Sequence, residues 1–291
     1  MYPPRFRYEA PRSLEEAIGL LHDGGGEAKV LAGGQSLIPL LKLRFAAPEL
    51  LVDINGIRSL DYHRVDADGT IRVGALARHA QLERSDILAA RQPTMSAAAP
   101  LVADPIVRNR GTLVGSLCHA DPQGDWASVV TALGGHVVAQ GPNGQRTIAI
   151  AQLITGPFET VLGYDEIAVE AVIPAPTGEP AGGYLKLERR IGDFATAGVA
   201  VAIERSGGSV TRAGIALTGV GGSTIDAVDA AQALLGGSLT ADNIGQAAEL
   251  AAQAARPHSD HRGTAAYKRH IVRTFTVRIL TRVAESAERV A

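Results

Sequence analysis

The sequence predicts an α+β protein with two domains. Turn signals at Asp66–Gly69 and Gly141–Gly144 separate short apolar runs, a pattern typical of β-hairpins. Alanine-rich segments whose apolar residues have helical spacing predict helices between and after these hairpins. The segment Ile173–Gly183 has three prolines and three glycines in 11 residues, which favours a linker. The 291 residues leave room for two domains, which we place at 1–176 and 177–291.

The elements follow in order along the chain. Ser13 and Glu16 form a capping-box pattern that predicts a helix ending at Gly24. The rest of the first domain is expected to contain strands at 29–31, 50–54 and 167–173, hairpins at 61–73 and 136–150, and helices within 76–103 and over 126–133. The second domain is expected to begin with an antiparallel pair at 199–204 and 210–217, followed by helices near 226–235, 241–255 and 265–287.

Composition excludes several classes of protein. A net charge of −2 and a pI of about 6.5 give no basic excess for nucleic acid. No apolar run is long enough to span a bilayer, and the N-terminal MYPPRFRYEAP lacks the apolar core of a secretion signal. A cytoplasmic protein is therefore expected, with membrane association only through a complex. The single cysteine, Cys118, excludes an internal disulfide, and it excludes an iron–sulfur cluster held by this chain alone, which needs about four cysteines.

The turn Ala32–Ser36 (AGGQS) follows a predicted strand and precedes a predicted helix. Its backbone amides and the side chains of Gln35 and Ser36 would suit a phosphate or pyrophosphate. A plain tight turn explains the two glycines equally well. The sequence contains neither a P-loop nor a Gly-x-Gly-x-x-Gly pattern that opens a helix after a strand, and Thr218–Gly222 is only a weak likeness of one.

A second glycine-containing segment, Ile106–Val130, has few bulky side chains and would also allow close approach of its backbone to a ligand. Thr112 and Ser116 could bond phosphate or ribitol oxygens. Asp125 could accept a hydrogen bond from a ribose or ribitol hydroxyl, or it could be the N-cap of the helix that begins at Trp126. The three glycines that give the segment this character are Gly111, Gly115 and Gly124.

Three further groups have polar chemistry. Lys186, with Arg189 and Arg190, could face a phosphate or an anionic flavin, and Phe194 after Asp193 could cover a ring, although a solvated strand edge explains the charges as well. A nucleophilic pair is disfavoured for Cys118 and His119, because adjacent side chains rarely face each other. A metal site is disfavoured for residues 258 and 261, because no third ligand has suitable spacing.

Five segments together resemble one family, the FAD-binding medium subunits of molybdenum hydroxylases, and within it the aerobic carbon monoxide dehydrogenases. The order and spacing of the segments fit over nearly the whole chain. The resemblance implies an FAD-binding fold of the vanillyl-alcohol-oxidase/cell-wall-reductase type, in subdomains of about 1–55 and 56–176, followed by a C-terminal α+β domain. The segments are AGGQSLIP (32–39), RNRGTLVGSLCHADPQGD (108–125), EIAVEAVIP (166–174), YLKLERRIGDFATA (184–197) and DHRGTAAYKRH (260–270).

The resemblance also implies a set of cofactor-binding residues. Two glycine segments would hold the FAD pyrophosphate from opposite sides, Asp125 would bind ribitol or ribose, Lys186 would contact the flavin, and Asp193 and Phe194 would reach the isoalloxazine. The full set is Ala32, Gly33, Gly34, Gln35, Ser36, Leu37, Val102, Thr112, Val114, Gly115, Ser116, Asp125, Ala168, Lys186, Asp193 and Phe194.

Three positions depart from the family pattern. Val114 stands where a second glycine is usual, which would alter backbone contact there. Gln35 and Ser116 stand where the carbon monoxide enzymes have histidine and asparagine. These two differences reduce the likeness to carbon monoxide enzymes without changing the implied FAD site.

The resemblance implies partners as well as a cofactor. A molybdopterin-containing large subunit and a 2Fe–2S small subunit would complete a heterotrimer, which can dimerise, and the flavin would pass electrons to an acceptor such as a quinone or NAD. No residue of this chain is expected to be catalytic or to bind a metal. Two alternatives stay open: a self-contained FAD oxidoreductase with its own substrate pocket, and a flavin-free scaffold or assembly protein of the same fold.

Overall fold

The computed structural model describes the backbone of residues 2–288 and the side chains up to Ser286. Its mixture of helices and sheets confirms the predicted α+β class. The first part has a three-stranded parallel sheet, in the order β1-β3-β2, with one helix after each of the first two strands. Its elements are β1 (Arg7–Glu9), α1 (Leu14–Asp23), β2 (Ala28–Leu31), α2 (Leu37–Leu43) and β3 (Leu50–Asp53).

Helix α1 begins and ends as predicted, with one difference in its cap. The Ser13 hydroxyl accepts a hydrogen bond from the Glu16 N–H at 3.1 Å. The Glu16 carboxylate reaches one residue further back and accepts from the Arg12 N–H at 2.9 Å. Both bonds satisfy amides at the N-terminus of the helix, which ends at Gly24.

The middle part is built on a five-stranded antiparallel sheet, in the order β4-β5-β10-β6-β7, and helices pack against it. Trp126 lies fully buried in its core. The predicted hairpins and helices are confirmed here. The elements are β4 (His63–Val65), β5 (Ile71–Gly74), α3 (His79–Glu83), α4 (Asp86–Arg91), α5 (Pro93–Ala98), α6 (Pro105–Arg108), α7 (Leu113–His119), α8 (Asp125–Ala132), β6 (His136–Gly141), β7 (Gly144–Ala149), α9 (Ile150–Leu153), β8 (Ile154–Gly156), β9 (Glu159–Thr160) and β10 (Ile167–Ile173), with short 3₁₀ helices at Ile54–Gly56, Arg58–Leu60 and Ala99–Leu101.

The last part has a four-stranded antiparallel sheet with helices on one face. Successive side chains of β12 point to opposite faces of the sheet, so neighbouring residues pack against different parts of the protein. Val199 and Val201 pack with the C-terminal helices, whereas Ala200 and Ala202 pack with the core of the middle part. Small side chains on that second face let the sheet lie close to α5 and α8. The elements are β11 (Glu179–Leu187), β12 (Ala197–Ser206), β13 (Ser209–Thr218), β14 (Ile225–Asp226), α10 (Val228–Gln232), α11 (Ala241–Ala254) and α12 (Ala265–Glu288).

Two sequence-based predictions are wrong in extent. Much of the segment predicted as a linker is strand: β11 begins at Glu179, and only residues 174–178 connect it to β10. The glycines serve packing, because a Cβ on Gly182 would overlap the Val201 carbonyl oxygen of the paired strand. Helix α10 covers five residues where ten were expected. Within residues 2–288, no helix has the length and apolar composition needed to cross a membrane.

Candidate cofactor-binding cavity

A cavity of about 640 Å³ lies where the three parts of the chain meet. It is bordered by the first glycine turn, the second glycine segment, the β8–β9 hairpin and a loop that follows β11. Of the residues predicted to bind a cofactor, all but Lys186 line it. The tertiary fold therefore brings together side chains that are up to 162 residues apart in the chain, from Ala32 to Phe194.

The first glycine turn, Gly33–Gly34, is explained by the protein's own packing. A Cβ on Gly33 would overlap the Arg110 carbonyl oxygen and lie 2.8 Å from Cα of Gly111. Gly34 has φ of +73°, a conformation that favours glycine. The absent side chains thus let the turn rest directly on the second glycine segment, and the two form one continuous wall of backbone. The Gln35 side-chain amide folds back onto the Gly33 carbonyl oxygen at 3.2 Å.

The second glycine segment opens helix α7. The Thr112 hydroxyl accepts a hydrogen bond from the Gly115 N–H at 3.1 Å and so caps the helix. Val114 is 2% exposed and packs in the hydrophobic core, although it borders the cavity. A valine at this position therefore directs its bulk into the core, and the departure from the family's glycine does not block the cavity.

A hydrogen-bonded brace joins the two glycine segments from behind. The Arg78 guanidinium donates to the Arg110 carbonyl oxygen at 2.7 Å and to Oδ1 of Asn55. The Asn55 amide in turn donates to the Ala32 carbonyl oxygen at 2.8 Å. Burial lowers the pKa of Arg78 but leaves it a cation at neutral pH. Both of its hydrogen-bond acceptors are uncharged, and the nearby carboxylates of Asp61 and Asp53 favour its charged form.

Removing this brace is expected to destabilise the fold. Arg78→Met keeps most of the aliphatic side chain and deletes both hydrogen bonds, which we expect to cost about 1–3 kcal/mol of unfolding free energy. Urea unfolding of the chain without added FAD measures this loss. The matched control is Arg7→Met, because the Arg7 side chain is 72% exposed, and its effect is expected to stay within about 0.5 kcal/mol. Equal effects of the two substitutions would contradict the brace.

His79 lies next to the brace and is almost fully buried. The Trp126 indole N–H donates a hydrogen bond to its Nδ1 at 3.0 Å. Burial, with the nearby Arg108 and Arg78, lowers the pKa of His79 to about 4. The imidazole is therefore neutral at physiological pH.

The stability of the protein is expected to fall in acid because of His79. Between pH 6.5, the ordinary histidine pKa, and about 4, the unfolded chain binds a proton at this position and the folded chain does not. Unfolding free energy should therefore decrease as pH falls through this window, by up to about 3 kcal/mol. Urea unfolding at several pH values should show a shallower pH dependence for His79→Gln, and an unchanged slope would contradict the assignment.

Asp125 lines the cavity, as expected for a cofactor-binding residue, but the N-cap role predicted for it is wrong. Gly124 is the N-cap of α8, and Asp125 is the first helical residue. Its carboxylate accepts hydrogen bonds from the Tyr184 hydroxyl at 2.6 Å and from Lys186 Nζ at 3.2 Å. Burial raises the pKa of Asp125, although both partners stabilise the charged form. The carboxylate thus joins the C-terminal sheet to helix α8 at the edge of the cavity.

Lys186 lies behind the cavity wall. Besides Asp125, its ammonium donates to the Asp193 carbonyl oxygen at 3.0 Å and lies 3.3 Å from a Glu188 carboxylate oxygen. Its side chain is 1% exposed. Two of its three N–H groups thus have protein acceptors, and the Glu188 carboxylate adds charge without a hydrogen bond. The structure pairs Lys186 with Asp125, the two residues for which separate ligand contacts were predicted.

The loop after β11 covers one side of the cavity. Gly192 has φ of +84° and rests on the backbone of Ala103 and Asp104. Arg262 donates to the Phe194 carbonyl oxygen at 3.0 Å and lies 3.3 Å from the Asp193 carboxylate. Burial opposes ionisation of Asp193, but the Phe194 N–H, Arg189 and Arg262 lower its pKa to about 2. Two arginines thus hold the Asp193 carboxylate, and one of them also holds the Phe194 carbonyl oxygen.

Three partly exposed aromatic side chains line the cavity: Phe158, Tyr164 and Phe194. Phe158 has φ of +62°, which is rare for a bulky residue, and its N–H donates to the Ala120 carbonyl oxygen at 2.9 Å. Its ring centre lies 5.1 Å from that of His119. His119 therefore packs on an aromatic ring. Burial raises the pKa of the Cys118 thiol to about 12, which disfavours the thiolate that a nucleophile needs.

The remaining motifs have structural explanations. His258 and His261 are exposed in the turn before α12, and no group of three or more potential metal ligands occurs among the described residues. Gly219 has φ of +74°, and its N–H donates to the Pro122 carbonyl oxygen at 2.9 Å. The turn after β13 is thus bonded to the loop before α8 in the middle part of the chain. Arg78, His79 and Phe158 were not predicted from the sequence, because residues distant in the chain place His79 and Phe158 at the cavity and Arg78 behind its wall.

The comparisons with known proteins agree with this architecture. Residues 4–176 match the family described as the FAD binding domain in molybdopterin dehydrogenase, and residues 183–283 match the CO dehydrogenase flavoprotein C-terminal domain. The carbon monoxide dehydrogenase medium chain of Hydrogenophaga pseudoflava is 42% identical, over 92% of this chain and 93% of its own. The 6-hydroxypseudooxynicotine dehydrogenase complex subunit alpha of Paenarthrobacter nicotinovorans is 38% identical, over 99% and 97%.

A solved structure shows the same fold. Carbon monoxide dehydrogenase from Hydrogenophaga pseudoflava, in a form that lacks the Mo-pyranopterin moiety of its cofactor, contains a chain that superposes with a TM-score of 0.93 at 42% identity. The match covers 98% of this chain and 99% of that one. The chain therefore belongs to the FAD-binding medium subunits of the molybdenum hydroxylases, and its cofactor is FAD.

Proposed function

We propose that this chain is the electron-transfer subunit of a molybdenum-containing dehydrogenase similar to carbon monoxide dehydrogenase. It would work with a molybdopterin large subunit and a 2Fe–2S small subunit, and it would pass electrons from their clusters to an acceptor such as a quinone or NAD. The observation that carries the proposal is the cavity between two glycine segments in a chain that has a single cysteine, Cys118. The iron–sulfur clusters that supply electrons to the flavin must then be held by other chains.

The residues around the cavity fit FAD. A volume of about 640 Å³ lies in the range of cofactor sites. We propose that Ala32–Leu37 and Thr112–Ser116 hold the pyrophosphate between them. The first amides of α7 lack an intrahelical acceptor, and Ser36 makes no capping bond, so both can donate to phosphate oxygens. Arg78 supplies positive charge from behind.

The flat rings of the cofactor require apolar and aromatic walls. Val102 and Ala168 provide apolar surface in the cavity, and Phe194 lies on the covering loop. We propose that Phe194 and Asp193 border the isoalloxazine, with Lys186 acting through its bond to the Asp193 carbonyl oxygen. When bound, FAD supplies the redox chemistry. This chain's residues position the cofactor and exclude water, and none of them is proposed to attack or deprotonate an organic substrate.

The substrate of the complex is not chosen by this chain. The two relatives described above act in complexes named for different substrates, carbon monoxide and 6-hydroxypseudooxynicotine, although both resemble this chain over nearly its whole length. We therefore propose that substrate oxidation takes place on the molybdenum subunit.

Affinity purification of the tagged full chain from its native cells tests the proposal. We expect a flavin absorbance band, and we expect mass spectrometry to find one iron–sulfur subunit and one molybdenum subunit with the chain. Adding substrate should reduce the flavin of the complex and leave that of the isolated chain oxidised. Flavin reduction by an organic substrate in the isolated chain would instead support a self-contained oxidoreductase. A chain that takes up no FAD would support a scaffold.

A further inference from the structure

The two ring nitrogens of His79 have different surroundings. Nδ1 faces the Trp126 indole, whose N–H can only donate a hydrogen bond. Nδ1 must therefore be the acceptor, and the neutral imidazole carries its proton on Nε2. Burial keeps the ring neutral at physiological pH, so Nδ1 keeps the lone pair that accepts this bond. Trp126 thus fixes His79 as a donor through Nε2.

The Nε2–H group has no protein acceptor among residues 2–288. His79 is nevertheless almost fully buried, with a residue exposure of only 4%. The ring lines the cavity. Its Cδ2–Nε2 edge lies against Gly111, where a Cβ would be 2.8 Å from each of these atoms. Gly111 is also the residue on which Gly33 rests. The unpartnered donor is therefore located where the two glycine segments meet.

We propose that the Nε2–H of His79 donates a hydrogen bond to the pyrophosphate of bound FAD, so that His79 is a further cofactor-binding residue. The inference rests on the proposed use of the two glycine segments as the pyrophosphate site. The His79 ring lines the cavity, and a phosphate oxygen at this position would accept the Nε2–H hydrogen bond that no atom of the described residues accepts. Arg78 already supplies the positive charge, and the neutral ring adds a directed hydrogen bond without burying a second cation.

Two substitutions separate the roles of the ring nitrogens. His79→Asn keeps a polar group near Nδ1 for Trp126 but places no donor near Nε2, whereas His79→Gln can place an amide N–H near Nε2. We expect His79→Asn to weaken FAD binding by about 10- to 100-fold, the usual effect of losing a hydrogen bond to a charged group, and His79→Gln to stay within about threefold of wild type. Fluorescence titration of the full chain, stripped of flavin, measures both dissociation constants.

A measurement on the wild-type chain makes the test independent of variant folding. With ¹⁵N-labelled histidine, we expect FAD to shift the Nε2 resonance of His79 and slow exchange of its proton, and inorganic pyrophosphate to give a smaller shift in the same direction. Unchanged Nε2 signals on FAD binding, or equal weakening by the Asn and Gln variants, would overturn the inference while the proposed function stands. A wild-type chain that binds no FAD would overturn both.

Discussion

Replacement of Gly33 by valine should abolish FAD retention by the purified chain. The new side chain would overlap the Arg110 carbonyl oxygen and approach Cα of Gly111, and neither backbone atom can move without opening the wall of the cavity. Overpacking of this kind typically costs about 1–3 kcal/mol of stability, so part of the protein should still fold. The ratio of flavin to protein absorbance after gel filtration measures retention, and circular dichroism reports folding.

A glycine with open space around it provides the control. Gly245 lies within helix α11, and a Cβ there would have no neighbour within 4 Å. Gly245→Val should keep the flavin content of wild type. If folded Gly33→Val also kept a full complement of FAD, the packing of the first glycine turn on the second segment would not be needed for cofactor binding. Gly34→Val, which adds a side chain at positive φ, is expected to behave like Gly33→Val.

Removal of the Asp125 carboxylate should have the largest effect on stability. Asp125→Ala leaves the Lys186 ammonium, in a side chain that is 1% exposed, without its partner on helix α8. Breaking a buried ion pair on one side typically costs about 3–5 kcal/mol. The Tyr184 hydroxyl would lose its acceptor in the same variant. Urea unfolding, followed by circular dichroism, measures the loss.

The double variant measures how much of this loss comes from the Lys186 charge that Asp125 no longer balances. Asp125→Ala with Lys186→Met removes both charges, and we expect it to recover a substantial part of the lost stability. A double variant less stable than Asp125→Ala would show that Lys186 contributes mainly through Glu188 and the Asp193 carbonyl oxygen. A single variant that lost less than about 1 kcal/mol would contradict the buried pair itself.

The pairing of Asp125 with Lys186 also connects stability to the cofactor site. Lys186 holds the Asp193 carbonyl oxygen, and Arg262 holds the carboxylate of the same residue. The loop that covers the cavity is thus fixed by one cation on the C-terminal sheet and another before the last helix. Because Asp125 begins α8 of the middle part, the network also fixes the position of the C-terminal sheet relative to the cavity wall.

Local sequence patterns were sufficient for most secondary-structure elements. The hairpin at 61–73, the helix at 126–133 and the last helix were predicted from turn residues and spacing of apolar side chains, which act over a few residues. The segment 173–183 was misread because glycine and proline also occur where strands pack closely. Gly182 is such a case, since the backbone of β12 lies where its side chain would be.

The sequence by itself determined the fold class, the two glycine segments and the limit that one cysteine sets on cluster binding, because these depend on residue type and short-range order. Only the tertiary structure decided that Gly33 rests on Gly111, that Asp125 pairs with Lys186, and that His79 faces the cavity with one nitrogen already bonded. Each of these contacts joins residues 47 or more positions apart. Their geometry follows from strand pairing and core packing, which no local pattern records.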